Sequence, residues 1–214
     1  TMPSELWESI NTTWLELRGK RIESLSDDAL GEFYEWVKER SHLSRGITLG
    51  TMLRDEGFHF TRIGTFLERS DNTARLLKVQ LRLLAPDGVG NVAAADYYSY
   101  GALLRSVSAF EIYRKVYRDR ITPSRVAELL ILREDMPRSL HRCMNEVQDN
   151  LHAVGNRQSS ETERRTGELH SRLHYGRIEP IVADGIDGFL SRFLADIHDL
   201  GERIGQDFLM PTAN

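Results

Sequence analysis

Residues Leu53 to Leu84 read LRDEGFHFTRIGTFLERSDNTARLLKVQLRLL, and the reading of this stretch decides the fold. Wound as a helix, it places Ile63, Phe66, Leu67, Ser70, Ala74, Leu77, Leu81 and Leu84 in one arc of roughly 100°. A second arc holds Thr65, Leu76, Val79 and Leu83, mixed with Glu68, Asn72 and Arg75. Only a narrow strip of Asp55, Arg62, Arg69 and Gln80 is made for water. The pattern predicts a helix buried on two faces, in the middle of a bundle rather than on its rim. Charged groups sharing a face with leucines must be paired, because an unpaired buried charge costs roughly several kcal/mol.

Outward from this stretch the apolar spacing stays at three and four, which predicts an all-α, mostly antiparallel bundle of about seven helices. Toward the N-terminus, Leu6, Trp7, Ile10, Trp14 and Leu17 mark an amphipathic first helix. Ser26 caps a second, with Asp27 and Asp28 in its first turn. Gly46 and Gly50 predict a break, or a place where another backbone comes close. Toward the C-terminus, Ala85 to Asn91 reads as a loop. One long helix is expected from Val92 to Arg118, then a capped start at Thr122-Pro123 and another at Pro137. Ser160 with Glu163 matches a capping box for a helix reaching about His174. From Ile178 to Phe208 an apolar stripe runs through nearly four heptads, and the tail from Pro211 should fray. No internal domain boundary is marked, so residues 1–214 read as one helical domain.

Composition narrows the class. The 214 residues carry 28% charged and 40% hydrophobic side chains, the balance of a globular chain able to bury a core. A net charge of −4 with both signs interspersed gives no footprint for nucleic acid or an anionic membrane. No apolar run is long enough to span a bilayer, so no membrane role is expected. The single Cys143 excludes an internal disulfide and fits a cytoplasmic location. Its place on the stripe with Leu140, Met144, Val147 and Leu151 predicts a buried hydrophobe rather than a nucleophile. Phosphate-binding and nucleophile-elbow motifs are missing.

Three constellations could carry chemistry. Glu68, Asn72 and Arg75, with Asp71 placed to pair with Arg75 and Arg69 beside them, form a polar face on the central helix. Glu111, Arg114 and Arg118 interrupt the apolar arc of the next long helix. The two sets read either as one buried ionic seam that fixes helix register or as a binding site. The third is a pair of Glu-x-x-His units, Glu39 with His42 and Glu56 with His59, a spacing used by di-iron bundles. Glu39 and His42 lie off their own helix's apolar stripe, which argues against a shared metal. His170 and His174, at i and i+4, could pinch a zinc ion, but the sequence shows no third ligand near them, so they read as two surface histidines. No cofactor is expected on this reading, and no catalytic residue set follows from it.

Gly50 to Gln80, with FLERSDNTARLL at its centre, resembles the signature of the bacterial alpha-E domain family. The likeness continues through Asp96 to Leu132, Arg142 to Leu151 and Leu173 to Phe208, so it covers most of the chain. The family motif corresponds here to Glu68, Arg69, Asp71, Asn72 and Arg75. The resemblance implies company rather than a reaction: such proteins accompany circularly permuted ATP-grasp ligases and transglutaminase-like proteins. It therefore implies a helical partner or accessory subunit of an ATP-grasp-linked peptide or amide ligase system, binding the partner protein or its peptide substrate. The alternatives are a metal-dependent bundle enzyme built on Glu56 and His59, or a purely structural scaffold. The family's earlier copy of the motif does not precede Trp7. The chain thus reads as a fragment lacking an N-terminal repeat or as a variant that has lost it, and self-association is expected on any apolar stripe left uncovered.

Overall fold

A computed structural model describes residues 2–20, 26–83, 92–156 and 159–209. They form ten α-helices and a π-helical turn at Gly205–Leu209, with no strand among the described residues. The expected loop at 85–91 and the tail from Pro211 lie outside them. The chain divides into two compact units, Thr1–Phe58 and His59–Asn214.

In the first unit, α1 (Ser4–Arg18) packs on α2 (Asp27–Thr51). Trp36 Nε1 donates to Glu16 Oε2 at 2.8 Å, and Phe33 stacks on Trp36. The Ser26 hydroxyl accepts from the Ala29 amide, as the sequence predicted for a cap. The break expected at Gly46 and Gly50 does not occur, because α2 runs through both. A Cβ added at either would meet nothing within 4 Å, so no backbone presses there. Of the apolar stripe on α1, Leu6 is buried and Leu17 half-buried, while Trp7, Ile10 and Trp14 are exposed, as is Leu15 beside them.

The helix α3 (Glu56–Leu83) starts three residues later than the apolar pattern implied. Asp55 ends the approach to it, its carboxylate accepting from the Phe58 amide at 3.2 Å. That bond favours the ionised form and holds the Asp55 pKa below its ordinary value.

The core of the second unit joins Ile63, Phe66, Ala74 and Leu77 of α3 to apolar residues of the later helices. Most of these come from α4 (Val92–Ser106), α6 (Pro123–Ile131), α7 (Leu140–Val154) and α10 (Ile186–Ile204). α8 (Ser160–His174) packs along α7 and against α10. The long helix expected over 92–118 is two helices, because Ser108 takes φ 54° and the Ala109 amide bonds back to Leu104 O. α5 (Phe110–Tyr117) then leaves at a new angle, burying Tyr113, whose hydroxyl donates to Arg120 O and accepts from the Thr122 amide. The last stripe is likewise divided: α9 (Ile178–Ala183) ends before Gly185, at φ 94°, and α10 follows. Leu190, Phe193, Ile197, Leu200 and Ile204 of α10 are all buried.

Two further helix starts are shifted. Ser139, not Pro137, starts α7, its hydroxyl accepting from the Arg142 amide. Ser159, not Ser160, stands before α8 and donates to Glu163 Oε1 at 2.6 Å.

Candidate functional site

The buried face of α3 is narrow. Ile63, Phe66, Ser70, Thr73, Ala74 and Leu77 are buried, whereas Glu68, Asn72, Arg75, Leu76 and Val79 are exposed. The second arc therefore faces water instead of a neighbouring helix, which corrects the expectation of two buried faces. Packing follows a single stripe at three and four residues, and positions on the opposite side cannot share it. Arg75 turns back on its own helix, its Nε and Nη2 donating to Asp71 at 2.6 and 2.9 Å. This hydrogen bond raises the Arg75 pKa above its ordinary value. Glu111, Arg114 and Arg118 are exposed too, because the break at Ser108 turns Tyr113 inward in their place. The buried seam expected between these two sets of charges does not form.

An ionic contact that does form between α3 and α7 uses the strip expected to face water. Arg62 Nη2 donates to Glu146 Oε2 at 2.5 Å, and Arg142 Nη2 donates to Glu146 Oε1 at 2.5 Å. Arg62 and Glu146 side chains are only 18% and 16% exposed. The Arg62 and Arg69 guanidiniums lie 4.5 and 4.7 Å from the ring centre of Phe66. Arg69 also donates to Pro137 O at 3.4 Å. A planar guanidinium can cover an aromatic face and still donate at its edge, which a lysine ammonium cannot do. Phe66, Arg69, Glu134, Asp135, Pro137, Arg142 and Glu146 line one shallow hollow on this side. The arrangement holds α3 against α7 and presents both charge signs beside Arg69.

A second polar group continues along α7. His170 and His174 lie on one face of α8, and the fold brings His141 of α7 to them. One ring nitrogen from each of the three lies within 4.8 Å of the others. His141 is buried, with Nδ1 2.9 Å from Leu132 O; a carbonyl only accepts, so Nδ1 carries the proton. His141 Nε2 faces His174 Nδ1 at 3.2 Å. His170 Nε2 lies 2.6 Å from Asn145 Oδ1, and the Asn145 amide donates to Glu134 at 3.3 Å. Burial first, then the neighbouring His141 and His174, lowers the His170 pKa. The third donor that the sequence did not show near His170 and His174 is the imidazole of His141.

Among the described residues, none of Glu39, His42, Glu56 and His59 belongs to a donor cluster of this kind. Glu39, His42 and Glu56 are exposed, and His59 Nδ1 is hydrogen-bonded to Asn150 Oδ1 at 2.9 Å. Cys143 is buried, and burial pushes its thiol up to about 12, as an inert core residue requires. No helix of the described residues is long and apolar enough to cross a membrane.

The Alpha-E family profile, described as a predicted alpha-helical domain with a conserved ER motif, matches residues 1–209. The Glu68-Arg69 pair fits that description, with Glu68 exposed and Arg69 laid over Phe66. The chain is 28% identical over 157 residues to an uncharacterised protein of Mycobacterium bovis. Uncharacterised proteins of two Mycobacterium tuberculosis strains match to the same degree. Each match covers 72% of this chain but 17% of the relative, so the chain spans a small part of those proteins' length. No solved structure matches.

Proposed function

From the premise that this chain belongs to the Alpha-E family, we propose that it acts as a helical partner subunit of an ATP-grasp-linked peptide or amide ligase system. In this reading it works in the cytoplasm and binds a circularly permuted ATP-grasp protein, or that protein's peptide substrate, through the outer side of α3. One observation supports the choice of surface: Leu76 and Val79 are 42% and 56% exposed, amid Glu68, Asn72 and the Asp71–Arg75 pair. Apolar side chains flanked by charges form the kind of surface that a partner can desolvate while its rim groups set orientation. Arg75, already oriented by Asp71, can still offer its remaining N–H groups to a carboxylate. The test is ATP turnover by the ATP-grasp protein with and without this chain. A change in turnover that Arg75→Lys and Asn72→Asp reduce, in variants that keep native melting temperatures, supports the reading. Unchanged turnover in the presence of the chain would refute it.

The exposed Trp7, Ile10, Trp14 and Leu15 of α1 support a second contact, self-association of this chain through its first helix.

A further inference from the structure

We infer that His141, His170 and His174 form a binding site for one divalent transition-metal ion, zinc by the chemistry of the donors. Three neutral imidazoles with a fourth position left to water is a recurrent zinc set, and imidazole suits borderline metals rather than magnesium or calcium. The geometry is close to what such an ion needs. The three ring centres lie 5.2, 5.5 and 5.7 Å apart, nearly an equilateral triangle. Tetrahedral zinc with bonds of about 2.1 Å sets its nitrogens roughly 3.4 Å from one another. His141 Nε2 and His174 Nδ1 are already at 3.2 Å, and the whole set falls within 4.8 Å.

The surroundings are those that orient metal-binding histidines. Leu132 O fixes the His141 tautomer and leaves Nε2 as its lone-pair atom, while Asn145, itself held by Glu134, engages His170. Two of the ligands stand one turn apart on α8, and the third comes from the helix packed along it, so the core of the unit preforms the site. The site is open on one side: His141 is buried, His170 half-buried and His174 exposed. With all three imidazoles neutral, binding requires no net proton release. Without metal, one proton sits between His174 Nδ1 and His141 Nε2. When the ion takes both lone pairs, that proton moves to His174 Nε2.

The test is calorimetric titration of the metal-free full chain, with any affinity tag removed, using zinc chloride. A parallel titration with cobalt chloride reads coordination by visible absorption. We expect one ion per chain, tetrahedral-type cobalt bands and a raised melting temperature on saturation. His174→Ala, on the exposed side, should weaken binding on the order of 100-fold, and Asn145→Ala about tenfold. His198→Ala, whose imidazole stands on α10 beside Glu202, should leave binding unchanged. His141→Ala tests the buried ligand but could also loosen the core, so His174→Ala carries the decision. Absence of saturable binding, or equal affinity in wild type and folded His174→Ala, would overturn the site.

Discussion

Glu146 receives two guanidiniums and lies almost out of water, whereas Glu68 is exposed. Glu146→Gln leaves Arg62 half-buried with a weaker acceptor, and a stability loss of about 1–3 kcal/mol is expected in urea unfolding. Glu68→Ala should leave the melting temperature where it is. The sequence implied the reverse order, since Glu68 sits among leucines and Arg62 on the strip set aside for water. Side-chain length explains the inversion. Arg62 reaches over Phe66 to Glu146 on α7 and Arg69 to Pro137 O just before that helix, so residues at the margin of the apolar stripe become part of the contact.

The histidines lend themselves to a pH test. His170 is held below its ordinary value of 6.5, so the unfolded chain takes up a proton first as pH falls. The stability that His170 contributes is full above about pH 6.5 and is lost as pH falls through that value toward its lower folded pKa. Between about pH 7.5 and 5.5, metal-free wild type should lose more of its urea midpoint than His170→Gln does. Equal losses would contradict the lowered pKa.

At the scale of elements, most helices were legible because their starts carry chemistry that the backbone needs: Ser26 and Thr122 both cap where the sequence placed them. The division of 92–118 was not legible. Ser108 adopts a left-handed backbone with neither glycine nor proline to announce it, and the core rather than the local sequence imposes the turn. Glycine gives a paired test. Gly167, inside α8, has open space where a Cβ would stand, and Gly167→Ala should add about 0.5–1 kcal/mol of stability. Gly185 sits at φ 94° before α10, and Gly185→Ala should remove about 1–2 kcal/mol. Chemical denaturation of the two variants checks both signs. The same limit of local reading hid His141. It lies 33 residues before His174, and no spacing rule joins them until α7 packs on α8.

For the whole molecule, the all-α class and the family membership were legible because apolar periodicity and the FLERSDNTARLL stretch run through so much of the chain. Which surfaces stay open was not. Leu190, Phe193, Ile197, Leu200 and Ile204 of α10 are covered, while Trp7, Ile10, Trp14 and Leu15 of α1 are exposed. Light scattering should therefore find the wild-type chain larger than a monomer, and Trp7→Lys with Trp14→Lys should return it to one. A monomeric wild type would remove α1 as a contact. If the outer side of α3 binds the ATP-grasp protein, the affinity of this chain for it, measured with and without Leu76→Asp and Val79→Asp, reads that contact directly. Both positions face solvent, so the double variant should keep its fold and melting temperature. Saturable binding by the wild type, weakened at least about tenfold in the double variant, is the predicted result. Equal affinity in the folded double variant, or no binding by either protein, would contradict the account.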